Sequence, residues 1–226
     1  GEIERCQRLS PKPNFLVLLG DRYGWEPVPA RILSDEFEEL HAHASAAQTE
    51  LLNRWYGRDD NAVPAQYVMK RRDEDFDEYH EWAPEEAKLL QIVRELVDKT
   101  GLKGEARDKY FHSATHQEIV RGVLSAPTVP ENPVDPGEHV LACFRTIEGL
   151  PQEPNTFFDD RSAELDALQA ELRTRLAETD DSTDNVYSYN AAWQPADQDD
   201  IALEDESAFA QRVLEHFTRV ITAQLD

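Results

Sequence analysis

The residues best placed to do chemistry sit at the end of one apolar run. Phe15-Leu16-Val17-Leu18-Leu19 is closed by Gly20-Asp21-Arg22-Tyr23-Gly24-Trp25. If the run is a strand of a parallel sheet, this loop lies at its carboxyl end, where open α/β sheets hold their ligands. Gly20 and Gly24 permit tight turning and close backbone approach. Arg22 could clamp a phosphate or carboxylate, and Tyr23 or Trp25 could stack on a base or ring. Gly20, Asp21, Arg22, Tyr23, Gly24 and Trp25 are therefore the candidate ligand-binding residues. The same residues also have a structural use, with Arg22 paired to one of the chain's many carboxylates and both aromatics capping the core.

A second constellation is Thr115-His116-Gln117-Glu118. Thr-x-x-Glu is a capping-box pattern, in which the Glu118 carboxylate accepts from the Thr115 N–H. His112 and His116 would share a face if one helix covered both, but Ser113 and Thr115 start a helix between them, so no metal site is expected. His41 and His43 diverge on a helix. No Gly-x-Ser-x-Gly elbow and no Cys/His pairing occurs, which leaves hydrolase chemistry without support, and no cofactor is expected. Cys6 and Cys143 both lie beside apolar residues and read as small core residues of a reducing cytosol rather than a disulfide.

The chain has 226 residues with 23 Lys plus Arg against 46 Asp plus Glu, a formal charge of -23. A field of that sign repels phosphate backbones and anionic membranes, so neither nucleic acid nor a membrane is an expected partner. The mean hydropathy of -0.66 indicates an extensively solvated surface, and the acidity reads as solubility. No apolar run is long enough to span a bilayer, and the expected location is cytoplasmic.

These residues need elements to position them. Glu2 to Leu9 reads as a helix with Ile3, Cys6 and Leu9 on one side. Phe15–Leu19, five apolar residues in a row, reads as a strand buried on both faces. Ser34 is placed to cap a helix carrying Phe37, Leu40 and Ala44, and a second helix carries Leu51, Leu52, Trp55 and Tyr56. Arg58 to Pro64 reads as a linker and Tyr67-Val68-Met69 as a short extended piece. Pro84 opens a helix with Leu89, Ile92, Val93, Leu96 and Val97 on one face and Gly101 as its stop. The Pro127 to Gly137 run reads as a surface linker. His139 to Arg145 is a second buried strand, residues 163 to 178 a helix, and Asn185 to Tyr189 a third strand. A last helix bears Phe209, Val213, Phe217, Val220 and Ile221, a stripe expected to pack on the sheet. Strands separated by helices give an α/β class.

Glu2 to Cys6, Phe15 to Trp25, Leu51 to Tyr56, Asp60 to Pro64, Tyr67 to Met69 and Ser113 to Ile119 together resemble the DUF4062 domain, a TIR-like, flavodoxin-like α/β module. The longer pattern is similar to the N-terminal region of NACHT and WD-repeat proteins. There it precedes a signal-transducing P-loop NTPase of the STAND class and a repeat sensor. The resemblance implies a single α/β domain over residues 1–226, an incomplete TIR/flavodoxin-like parallel sheet flanked by helices. A large helical insertion spans residues 30–126. The family's opening strand and helix and its second strand have no counterpart, so the domain is expected to be truncated at its start, with a bare edge on the first strand. No GxxxxGK[ST] loop occurs, so any ATPase module would lie outside this chain.

The resemblance also implies a role for Glu118, since TIR domains that cleave NAD use a glutamate near a helix start followed by an apolar residue. The carboxylate could there stabilise positive charge developing on the ribose. Three functions follow. The first is a non-catalytic regulatory or protein-interaction domain of a STAND NTPase in signal transduction. Its partners would be the adjacent NTPase and repeat domains, other proteins or sister protomers. The second is an NAD-cleaving hydrolase using Glu118, and the third a structural spacer.

Overall fold

The computed structural model describes residues 2–9, 14–125, 139–177, 185–195 and 199–223. In chain order, α1 spans Glu2–Leu9 and β1 Phe15–Leu19. They are followed by β2 Arg31–Leu33, α2 Ser34–Ala42, α3 Ala46–Trp55, β3 Tyr56–Asp59 and β4 Gln66–Met69. Next come α4 Tyr79–Val97 and α5 Glu105–Asp108. Helix α6, Ala114–Ile119, runs into a π-helical turn, Val120–Leu124. Then come β5 Val140–Glu148, α7 Ser162–Ala177, β6 Val186–Pro195, β7 Asp199–Leu203 and α8 Glu206–Thr222. These elements form two compact units, Gly1–Gly24 with Thr115–Asp226, and Trp25–Ala114.

The first unit is built on a four-stranded sheet in the order β1-β5-β6-β7. β1, β5 and β6 run parallel, whereas β7 is antiparallel to β6. The class is α/β as expected, a mostly parallel sheet flanked by helices. Because alternate residues of a strand face opposite ways, Val17 and Leu19 line up with Val140, Ala142 and Phe144 on one face. Onto them α7 lays Leu165, Leu168, Leu172 and Leu176, spaced to share one helix face, together with Ile119 and Val123. On the opposite face α8 places Phe209 against Tyr187 and Tyr189, with ring centroids 6.3 and 4.7 Å away.

Four expectations are corrected in this unit. β5 is buried on both faces from Val140 to Phe144, but β1 is not, since Leu16 and Leu18 are 39% and 55% exposed. Among the described strands β1 pairs only with β5, and Val17 and Leu19 pack into the core while the alternate residues Leu16 and Leu18 face the other way. The last helix turns His216 and Val220 inward, leaving Phe217 half-buried and Ile221 50% exposed. The third strand continues to Pro195 because β7 folds back on it. Cys143 is a core residue, its thiol pushed by burial up to about 11, but Cys6 is exposed on α1. The proline run from Pro127 to Gly137 lies outside the described residues.

The second unit carries α2, α3 and α4 beside an antiparallel sheet in the order β2-β4-β3. The expected linker Arg58 to Pro64 begins inside strand β3, which also takes Tyr56 from the expected helix and pairs with β4 from Tyr56↔Met69 to Asp59↔Gln66. Trp55, Trp82 and Phe76 pack edge to face, with Trp55 4.7 Å from Trp82 and 5.2 Å from Phe76. Burial of Trp82 draws the start of α4 back to Tyr79, so Pro84 lies inside the helix instead of opening it. Ser34 does not cap α2, because the helix already includes it and its N-cap position is Leu33. A full capping box does form at Ser45 and Gln48, which bracket the first turn of α3. No helix among the described residues is long and apolar enough to cross a membrane.

The tightest approach in the first unit is at Gly122, where an added Cβ would stand 2.4 Å from the Phe15 ring. Gly122→Ala should therefore cost about 1–3 kcal/mol through overpacking. Gly101→Ala meets open space and should lie within roughly 0.5 kcal/mol of the wild type, as surface changes do. Urea unfolding of the two variants measures the contrast.

Candidate functional site

β1 delivers Gly20 to the carboxyl end of the sheet, one position past the Leu19↔Phe144 pair and so level with Arg145. The chain then turns through Gly24 at φ 99, a backbone conformation for which glycine is suited. Opposite it, the β5–α7 connection is folded by Asn155, whose side-chain oxygen accepts from the N–H of Phe157 (2.7 Å) and of Phe158 (3.0 Å). That turn brings Asp159 to the β1 exit.

The Asp159 carboxylate accepts from the Tyr23 N–H at 3.3 Å and from the Gly24 N–H at 3.0 Å. It also accepts from the Arg161 N–H at 3.2 Å. Two successive backbone donors in such a turn form a small anion-binding concavity, and here the anion is the protein's own. Arg22 stands 3.6 Å from the same carboxylate and donates to the Thr156 carbonyl at 3.3 Å. The loop thus faces an internal partner, and its glycines make close approach to protein groups.

Tyr23 is buried, and its hydroxyl lies 2.7 Å from Nδ1 of His116. The Arg161 guanidinium stands over its ring at 5.9 Å. Asp21 Oδ1 accepts from the Ile147 N–H at 3.4 Å. Burial raises the Asp21 carboxyl above its ordinary range, opposed by that hydrogen bond and by the charge of Arg145. Trp25 opens the second unit, exposed, with its carbonyl accepting from the Ala114 N–H at 2.9 Å. The structure thus groups Gly20 to Gly24 at one end of the first unit's sheet.

Glu118 is elsewhere on its helix. α6 begins at Ala114, so Thr115 lies in the first turn and not at the N-cap, and the capping box expected there does not form. His116 and Ile119 are the buried residues of α6, and Glu118, roughly 200° round from His116, points away from them. It is exposed and makes no hydrogen bond or ion pair among the described residues. His116 is occupied by Tyr23, and the described residues hold no group of His, Cys, Asp and Glu that could bind a metal.

Two participants escape sequence reading. Asp159 precedes α7 and looks like an ordinary helix-start acid, and nothing local marks it as the partner of a loop so far away in the chain. Arg145 is more legible, since it is the cation that ends the apolar run Val140-Leu141-Ala142-Cys143-Phe144, although β5 continues past it to Glu148.

Comparison with known proteins finds similar sequences within much longer chains. Over 131 residues the chain is 37% identical to the NACHT domain- and WD repeat-containing protein 1 of Mus musculus, covering 55% of this chain and 8% of that protein. The Homo sapiens counterpart is 34% identical over the same length. The NACHT and WD repeat domain-containing protein 2 of Homo sapiens is 39% identical over 74 residues, 32% of this chain and 4% of that protein. The chain therefore has homologues among NACHT and WD-repeat proteins over about half its length, and spans under a tenth of the length of those relatives. No protein-family model matches it, and no solved structure matches it significantly.

If Asp159 is the pin of the β1 exit, Asp159→Ala should destabilise the first unit by about 1–3 kcal/mol, the cost of leaving part-buried donors unsatisfied. Arg22→Ala, which removes a solvent-exposed ion pair, should cost under about 1 kcal/mol. The difference can be read from urea midpoints, and amide exchange at Tyr23 and Gly24 should quicken in Asp159→Ala alone.

Proposed function

We propose that this chain is a non-catalytic regulatory and protein-interaction domain of a STAND, NACHT-type signalling NTPase. It would be a TIR-like module of the DUF4062 kind, working in the cytoplasm beside the NTPase and repeat domains of its own polypeptide. In this reading the parallel sheet is the rigid platform, and residues 30–126 are an insertion that offers additional surface. The observation that carries it is the identity with NACHT and WD-repeat proteins over about half of the chain.

The site geometry supports a non-catalytic role. A carboxylate that stabilises charge on a substrate works from a cleft that excludes water, whereas Glu118 stands exposed on α6. The Tyr23 and Gly24 N–H groups of that loop are engaged by Asp159. A rigid α/β unit with its loop tied internally is suited to presenting surfaces to neighbouring domains.

Two measurements on the full-length protein test the proposal. Lysine cross-linking with mass spectrometry should join Lys70, Lys88, Lys99, Lys103 or Lys109 to the NTPase or repeat region, and a complete lack of such links would remove the interaction role. Incubation with NAD should release no nicotinamide. Release that vanishes in Glu118→Ala, with the fold intact, would establish the hydrolase instead.

A further inference from the structure

Leu16 and Leu18 share with α8 one face of the first unit's sheet. Their register partners on β5 are Leu141 and Cys143, and Cys143 pairs in turn with Tyr187, against which Phe209 of α8 packs. Leu141 and Cys143 are fully buried while Leu16 and Leu18 are in part exposed, so the cover on this face thins between β5 and β1. Neighbouring strands stand about 4.8 Å apart and packed helices about 10 Å. The seat next to α8, two strands along from β6, therefore falls on β1. The face consists of a ridge, α8, and beside it a step floored by Leu16 and Leu18.

The ridge is itself apolar toward that step. Ala210, Leu214, Phe217 and Ile221 follow one another at spacings of four, three and four, the interval of a helix-packing seam. Leu214 is 67% exposed, Ile221 half-exposed and Phe217 half-buried. Arg219 lies 3.5 Å from Asn185, just before β6, and Phe217 stands roughly 160° round the helix from it, on the β1 side. With Gln211 and Thr218 the seam makes an uncharged arc of about 120°, in a chain of which 31% is charged. Beyond the first turn the charges of α8, Arg212, Glu215 and Arg219, lie on the other side. Lone exposed leucines are ordinary. Here, among the described residues, Leu16, Leu18, Leu214 and Ile221 are four of the five large hydrophobics that the first unit exposes, and all four belong to one face.

We propose that this face docks a second copy of the chain about a two-fold axis, with α8 of each copy lying in the step over β1 of the other. A closed two-fold contact requires one patch to serve as both halves, and ridge and step occur together on this face. Leu214 and Ile221 of one copy then meet Leu16 and Leu18 of the other, and the two Phe217 side chains pack across the axis. The missing charge favours this occupant, since two copies of charge -23 repel and approach most readily where no carboxylate stands between them. The proposal rests on the interaction reading above, to which it gives one surface and one partner.

Sedimentation velocity of the intact chain over a range of concentrations tests it. The wild type should show a monomer–dimer equilibrium, and added salt should tighten it by screening the repulsion. Leu214→Glu and Leu18→Lys, both at exposed positions and checked for folding by circular dichroism, should each weaken the dimer roughly tenfold or more. Mixing the two variants should restore it, because a mixed pair keeps one wild-type contact and sets the new glutamate against the new lysine in the other. Ile221→Glu with Leu16→Lys is the second pair, should either of the first misfold. A wild type that stays monomeric at the highest concentration reached overturns the proposal and leaves the face to a helix of another protein. A dimer that the folded variants keep, or a mixture that does not re-form one, overturns it as well. Lysine cross-links to the NTPase region in a chain that stays monomeric would remove this surface and leave the interaction reading standing.

Discussion

The exit of β1 is where the first unit is decided, and one carboxylate holds it. Asp159 gathers the N–H groups of Tyr23, Gly24 and Arg161 onto two oxygens. Hydrogen bonds to an ionised acceptor are among the stronger ones a protein makes, and here they join the loop after β1 to the loop after β5. The positive φ of Gly24 follows from that grip. So does the aim of Tyr23, whose hydroxyl meets His116 and fixes which side of α6 faces the core. With His116 and Ile119 inward, Glu118 has no choice but solvent. The same turn thus places Tyr23 against His116 on α6, whose exposed side carries Glu118.

The second unit solves a different problem, that of keeping buried charge. Glu36 is buried on α2 and accepts from the Tyr110 hydroxyl at 2.5 Å and from Lys109 at 2.7 Å. Arg94 on α4 donates to the Tyr110 carbonyl and to Glu26, both at 2.7 Å. Burial, followed by the adjacent Glu36 carboxylate, pushes the Tyr110 phenol far above its ordinary value. Buried pairs add little net stability but cost much when broken. Their effect here is to fix how α2, α4 and the segment after α5 align, which apolar packing alone would leave looser.

Much of the framework can be read from residue pattern. The leucines of α7, the apolar runs of β1 and β5 and the capping chemistry of helix starts are local signals, and the α/β class follows from them. What escapes is decided by partners distant in sequence. Ser34 and Thr115 look like caps, yet the helices extend through them, while Ser45 and Gln48 form the reciprocal cap. β3 looks like a linker because Gly57-Arg58-Asp59 has weak strand propensity, and only pairing with β4 makes it a strand. At the site, the Gly20 to Gly24 loop is visible as a strand-end turn, whereas its occupant Asp159 is not. No pattern in a single chain states which carboxylate will meet which pair of amides.

The aromatic distribution has a practical consequence. Of the four tryptophans, Trp25, Trp55 and Trp82 belong to the second unit and Trp193 to the first. Trp55 and Trp82 are buried against each other at 4.7 Å, while Trp193 meets only Phe157, at 5.8 Å, among the described rings. Emission from the buried pair therefore reports the second unit, and a chain reduced to Trp193 by conservative replacement would report the first. The molecule carries its own optical labels, which allow the order in which the two units lose structure to be followed without attaching a dye.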